Sequence, residues 1–389
     1  MANYISSNAN RFYAALETAF GNAASITPDN RMAAVQLQAH QATQASRRQD
    51  KTGTRTYLGP PANPRRNTAF QLKTYLSSWA GFGNPGYGPL FQSAFGGTPV
   101  YGPQLTVAAA PSATQLQTTV PHSLVVGSAI SSGNEIRFVT AVPNPMTVSF
   151  NAPLSVTPAA GSLLAPTITY TLASALPSCT LYDYWDPVAA VSRVVAGATV
   201  DSLGISLNGD FHEFAFTGLA ADLLDSSSFQ VGEAGVAAFP VEPALQSFQY
   251  SIVAGHLGQA WLGASPNQFF TLTSAKVLLK NHLQARNQEF GAIYPTSIAA
   301  GQRIVATDFA LFAQDDAQTE ALYSAAKLRN SIAVMLQLGQ QQGQIMGVYM
   351  PAVIPEVPVY DDHETRLIWE FSGNVAQGIN NDEIVIAFA

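Results

Sequence analysis

Reactive residue types come close together at a few points in this 389-residue chain. Asp183 and Asp186 flank Trp185, the arrangement of two carboxylates beside an aromatic ring that glycoside hydrolysis uses. The flanking sequence supplies no substrate groove, so a structural role is expected. Asp361, Asp362, His363 and Glu364 form an acidic run that could hold a cation. Asp favours turns for its own backbone hydrogen bonds, so a solvated turn is the expectation. His212 and Glu213 are neighbours in an extended stretch and point to opposite faces. Gly81, Gly83 and Gly86 match G-x-G-x-x-G, but Pro85, Gly88 and Pro89 interrupt any helix start and no βαβ pattern surrounds them. The remaining histidines, His40, His122, His256, His282 and His363, are scattered. The P-loop, H-E-x-x-H, G-x-S-x-G and EF-hand patterns do not occur. No catalytic residue, metal site or cofactor is expected, and the chain does not read as an enzyme.

Composition points to large buried interfaces instead. Hydrophobic residues make up 47% of the chain and charged residues only 11%, against about 25% in ordinary globular domains. Depleted charge without depleted hydrophobicity argues against disorder and for surface covered by other subunits. A net charge of −7 disfavours general attraction to nucleic acid. Cys179 is the single cysteine, which excludes an internal disulfide framework. Neither a secretory signal nor a membrane-spanning run is expected.

The elements that would carry such surfaces are mainly strands. Residues 68–79 alternate with Phe70, Leu72, Thr74 and Leu76 on one face. Strands are also expected over residues 11–21, 31–40, 271–284, 303–312, 332–338, 344–351 and 383–388, with a helix as the alternative over 11–21 and 271–284, and a short helix is expected over 88–95. Residues 315–330 read as a helix capped by Asp315 or Asp316 and closed by Lys327 and Arg329. Residues 226–270 and 285–302 read as a connector and a polar loop.

Two stretches echo each other. Residues 197–226 and 347–378 each run from small residues through an extended segment and an acidic turn into Phe-Thr/Ser-Gly, at Phe216–Gly218 and Phe371–Gly373. Residues 66–75 match 303–312 at a separation of 237, whereas Phe216 and Phe371 lie 155 apart, so the first copy is longer by 82 residues. Within that interval residues 100–172 change texture to short Thr/Ser/Val/Pro-rich strands, which predicts a small inserted barrel or sandwich. The expected organisation is a first β domain over 1–99 plus 173–235, an insertion over 100–172, and a second β domain over 236–389, each β domain with a flanking helix.

The stretch 41–67 holds six of the chain's 18 Lys and Arg residues: Arg47, Arg48, Lys51, Arg55, Arg65 and Arg66. Gly53, Gly59, Pro60, Pro61 and Pro64 break regular structure there, and a loop of this length is a candidate for function. It reads as an arm that orders against acidic patches on a neighbouring subunit, with Asp315, Asp316, Asp361 and Asp362 as the partners.

The blocks VDSLGISLNGDFHEFAFTGLAADLLDSSSF, AKVLLKNHLQARNQEFG, DFALFAQDDAQTEALYSAAK and VMLQLGQQQGQIMGVYMPAVIPEVPVYDDHETRLIWEFSG, with the opening MANYISSNANRFYAALETAFG, resemble the tail tube proteins of long-tailed bacteriophages. The resemblance covers most of the chain outside 100–172. It implies β-sandwich or half-barrel domains whose rings stack into a hollow tube, a virion component assembled in the bacterial cytoplasm. Inner sheets would line a channel through which genomic DNA passes without specific binding, and arms would bridge rings. Other tail proteins would be partners, and two domains per chain would make three chains a pseudo-six-fold ring. A weakly acidic lumen is expected to let DNA slide. The alternatives are a baseplate or distal-tail ring, the inner tube of a contractile injection machine, and a carbohydrate-binding adhesin with 100–172 as its binding module.

Overall fold

A computed structural model describes residues 4–44, 49–59, 64–78, 83–186, 190–263, 267–363 and 365–389. Arg47, Arg48, Pro60, Pro61, Gly81 and Glu364 lie outside them, as does residue 79 at the end of the expected 68–79 strand. The chain begins with β1 (Asn10–Leu16), β2 (Arg31–Met32), β3 (Ala34–Gln44), β4 (Arg65–Tyr75) and α1 (Gly88–Phe95). An inserted run follows: β5 (Val100–Gly102), β6 (Leu105–Ser112), β7 (Gln115–Thr118), β8 (Ala129–Ser132), β9 (Glu135–Asn144), β10 (Thr147–Phe150), β11 (Leu163–Ala165) and β12 (Thr167–Thr171). Then come β13 (Cys179–Trp185), β14 (Arg193–Leu207), β15 (Glu213–Ala220) and β16 (Asp222–Asp225). The second half holds β17 (Gly258–Leu262), β18 (Leu272–Lys280), β19 (Gln284–Arg286), β20 (Ser297–Ala299), β21 (Ile304–Phe312), α2 (Ala317–Leu328), β22 (Ile332–Leu338), β23 (Met346–Ile354), β24 (Val359–Asp361), β25 (Ile368–Ala376) and β26 (Val385–Phe388).

Period-two burial makes the strands. In β4, Thr68, Phe70, Leu72 and Thr74 are buried while Asn67, Ala69, Gln71 and Lys73 face solvent. The helices are set by their ends. Pro89 opens α1, and Gly96 at φ 88° closes it, a backbone that a Cβ would strain. Asp316 caps α2 by accepting from the Thr319 N–H at 2.7 Å.

These strands form a mainly β architecture of antiparallel sheets. The inner sheet runs β3–β4–β15–β14–β18–β21–β25–β24 and crosses from the first half of the chain to the second at β14–β18. Behind it stand two outer sheets, β2–β1–β13–β14–β16 and β17–β22–β23–β26–β12–β5. Strand β14 serves both layers, its first residues in the outer sheet and its last in the inner one. Gly197, at φ 69°, sits near the register shift where it changes sheet, and a Cβ there would meet Ala221 at 2.6 Å. The apolar core fills the space between layers, with Phe91 of α1 packed edge-on against Phe214, Phe216 and Phe388.

The two halves repeat strand for strand. β1, β3, β4, α1, β13, β14, β15 and β16 correspond in order and pairing to β17, β18, β21, α2, β22, β23–β24, β25 and β26. Registers match as well: Leu72 pairs with Phe216, and Phe309, 237 residues after Leu72, pairs with Phe371, 155 residues after Phe216. Among the described residues the second copy has no counterpart of β2, and it departs again in its hairpin. The expected hairpin over 347–378 is split, because Pro355 and Pro358 withdraw backbone donors and leave β24 as a separate piece. Two further corrections concern polar stretches. The connector over 226–270 contains β17, and the loop over 285–302 contains the β19–β20 hairpin.

The inserted strands β6–β11 close into a six-stranded barrel, with β5 and β12 as its stem on the edge of β26. The barrel has its own core, including Val107, Leu116, Val139 and Val148. It docks on the outer sheet of the second half through Ile136, Phe138, Trp261, Met335, Val385 and Ala387. Gly347 makes room for it: a Cβ there would lie 2.9 Å from both Ile136 and Phe138. On the first half, residues 229–242 cover the matching outer face, placing Phe229 and Phe239 over Tyr13, Tyr182 and Tyr184. Among the described residues no helix is long and apolar enough to cross a membrane.

Candidate functional site

The inner sheet presents one solvated face and two free edges, and these are where the chain can act. Along the face, cross-strand neighbours from β4 to β25 are mostly Gln, Ser, Thr, Ala and Gly, with Lys73, Lys276, Lys280, Glu213, Asp308 and Glu370 as the charges among them. Lys73 reaches Glu213 at 3.1 Å, and Lys276 stands directly opposite Asp308.

Among the described residues β3 pairs only with β4, and β24 only with β25, so the sheet stops at both. A sheet edge with unfilled donors and acceptors is a template for another strand. The chain contains a filled version of this junction. Where the first copy meets the second, Gly204 lies opposite Leu278 and Ser206 opposite Lys276. The same positions in the second copy, Val359 and Asp361 of β24, have nothing beside them within the described residues. Burial shows the difference: Ile205 is 1% exposed against Val277, whereas its counterpart Tyr360 is 53% exposed. Tyr360 stacks on Trp369, 5.8 Å between ring centres, without a strand to cover it.

The ends of the sheet differ in charge. Lys51 and Arg55 are exposed in the arm, and Arg65 and Arg66 sit at the start of β4, all at one end. Asp315 and Asp316 follow β21, Asp361 ends β24 and Asp362 opens the β24–β25 turn, all at the opposite end. Within one chain, therefore, the basic and acidic residues do not meet. Arg65 and Arg66 are also already engaged. Arg65 donates to the carbonyls of Gln288 and Glu289, each at 3.2 Å, and the guanidinium of Arg66 lies 5.3 Å from the Tyr294 ring centre. All three partners belong to the β19–β20 loop, a contact that nothing in the sequence pattern announces. Asp316 is occupied in capping α2, whereas Asp315 and Asp362 are exposed. Asp361 accepts from the His363 backbone N–H and ring Nδ1, and these bonds hold its carboxyl below the usual range.

The other chemistry-bearing residues are structural. Asp183 is buried and pairs with Arg193 at 2.8 Å, while Asp186 is exposed. His212 is buried, with Nε2 2.9 Å from the Leu257 carbonyl, and burial lowers its pKa. Among the described residues no three His, Cys, Asp or Glu side chains gather as a metal would require. Of the aromatic residues in the insertion, Phe138, Phe150 and Tyr170 are buried and Tyr101 is exposed, so no aromatic platform faces outward.

The barrel is clamped by a buried charged group centred on Arg137. Arg137, fully buried, donates to Glu135 Oε1 at 2.7 Å, Gln337 Oε1 at 3.1 Å and the carbonyls of Ile136 and Pro153 at 2.8 and 2.9 Å. Its guanidinium also lies 4.2 Å from the Trp261 ring centre. The signal was present: opposite charges two apart on an apolar strand share a face.

No known protein-family model matches the chain, and no curated protein matches it.

Proposed function

We propose that the chain is a structural subunit that polymerises into a tube: copies join edge to edge into a ring, and rings stack end to end as in a phage tail tube. The observation that carries this is the β14–β18 junction, which is the contact two copies would need, already made once inside the chain. Its equivalent between chains places β3 of one copy on β24 of the next, with His40 opposite Val359 and Gln38 opposite Asp361. Such a contact is head-to-tail, so it builds a ring when its rotation closes and an open filament when it does not, rather than a two-fold dimer. Two sheet units per chain make three chains a six-unit ring.

Axial stacking is read from the opposed charge at the two ends, with the exposed Lys51 and Arg55 of one ring facing the exposed Asp315 and Asp362 of the next; Arg47 and Arg48 lie outside the described residues. The inner face would line the channel. Its charge is balanced along the paired strands rather than weakly acidic, so the net −7 is carried elsewhere. Interspersed single charges among Gln, Ser and Thr give phosphate no basic cluster to grip, and DNA could pass. The barrel, docked on the layer behind the inner sheet, would decorate the outside.

Negative-stain electron microscopy of the purified chain at rising concentration tests the proposal. Hollow tubes of constant axial repeat are expected. Closed rings that never stack would support the distal-ring alternative, and a monomer at every concentration would refute self-assembly of the chain.

A further inference from the structure

The internal repeat predicts a contact that only a second copy can complete. In the first half of the chain, the base of β4 is covered by the β19–β20 loop. The Arg66 N–H donates to the Ile293 carbonyl at 2.9 Å, Asn287 bonds Asn67, and Tyr294 sits beside the Arg66 guanidinium. This loop leaves β18 and reaches back across the junction to the preceding sheet unit.

The equivalent base in the second half is open. Arg303 holds the position of Arg66 at the head of β21, and a polar cavity of about 310 Å³ lies there, lined by Asn281, Gln302, Arg303, Asn381 and Glu383 among others. Arg303 donates to Asn381 Oδ1 at 2.7 Å and lies 3.3 Å from Glu383, but its buried Nε meets no acceptor among the described residues. Ile304 beside it is exposed, as are Val375 and Ile379 at the same end.

The arm of the first half is the counterpart of the β19–β20 loop. Tyr294 precedes Arg303 by nine residues, and Tyr57 precedes Arg66 by nine. Tyr57 and Leu58 are 57% and 60% exposed, an apolar pair largely open to solvent.

We propose that the cavity at Arg303 is the seat for Tyr57 of a second copy, reproducing between chains the contact that Tyr294 makes on Arg66 within one. The donor is the copy whose β3 meets β24 of the acceptor, so the proposal rests on the edge-to-edge reading above. It adds a second lateral contact at the basic end, and leaves Lys51 and Arg55 to face the next ring.

Cysteine pairs separate the possibilities, because native Cys179 is buried. The probe is a short bismaleimide applied to the full chain at assembling concentration. Tyr57→Cys with Gln302→Cys should give covalent multimers, and Tyr57→Ala should raise the half-assembly concentration about tenfold, as expected for an aromatic anchor on a guanidinium. Tyr57→Cys with Asp315→Cys tests an axial seat instead. Multimers by light scattering that cross-link through 57–315 but not 57–302 overturn the proposal and leave self-assembly intact. Multimers that cross-link through neither pair also overturn it. A chain that stays monomeric defeats both readings.

Discussion

Replacing Arg137 with Leu removes the clamp between barrel and second domain, and its cost can be bounded from the contacts. The guanidinium fills five hydrogen bonds to Glu135, Gln337, Ile136 and Pro153 at 2.7–3.1 Å, and its loss leaves the Glu135 carboxylate without its ion-pair partner and the Gln337 carbonyl oxygen with the Ile136 N–H at 3.0 Å. Breaking a buried ion pair by removing one partner costs about 3–5 kcal/mol. Glu135 keeps bonds from the Ser155 N–H at 2.8 Å and hydroxyl at 2.9 Å, so the lower end of that range, about 3 kcal/mol, is expected. Removing both charges, with Glu135→Leu added, should recover part of the loss, since the stranded carboxylate is then absent. Arg137→Lys keeps the charge but loses the fork, and should fall between wild type and Leu. Urea unfolding followed by Trp fluorescence and circular dichroism measures all three. A loss below about 1 kcal/mol for Arg137→Leu, or a double variant no more stable than the single one, would refute the reasoning.

Other expectations follow from the same geometry. Burial raises the Glu135 carboxyl, but Arg137 and the Ser155 bonds outweigh it and hold it below the usual range. The clamp should therefore be at full strength above about pH 4.3 and weaken as pH falls through the folded-state value, read as rising hydrogen exchange in β9. Gly347→Val should push the barrel off β23, because even a Cβ meets Ile136 and Phe138 at 2.9 Å; protease sensitivity within 105–165 should rise while the barrel's own core persists. Glu242→Gln should loosen the linker over the first outer sheet. Glu242 accepts from Arg11 at 2.6 and 2.7 Å and from the Tyr13 hydroxyl at 2.9 Å, and Tyr13 is pushed up to about 12 by burial and by that bond. Spectrophotometric titration should find a tyrosine ionising at lower pH in the variant.

Much of the fold is legible in the sequence because strands with one buried face must alternate. The period-two runs of β4, β15 and β21 and the cap of α2 follow from that and from elementary helix chemistry. The repeat is legible because Leu72, Phe216, Phe309 and Phe371 are large apolar residues at equivalent buried positions. The β19–β20 loop is not, since a polar hairpin held by backbone bonds and by Arg65 and Arg66 has no hydrophobic period to betray it. Nor is the splitting of β23 from β24, where two prolines override the pattern of an otherwise continuous strand. The candidate assembly surfaces were least visible. Charged residues announce themselves by type, but a free sheet edge is defined by which strand fails to find a neighbour, and that depends on the order of the whole sheet.

The central claim is that β3 of one copy pairs with β24 of the next and that this contact closes. His40→Cys with Val359→Cys places two thiols directly opposite in the register carried over from Gly204 and Leu278, close enough for a disulfide across neighbouring strands. Oxidised at assembling concentration and weighed by native mass spectrometry after dilution, the chain should appear as a covalently closed species of three chain masses. Self-association without this cross-link, or an open ladder of unlimited length, would contradict the account.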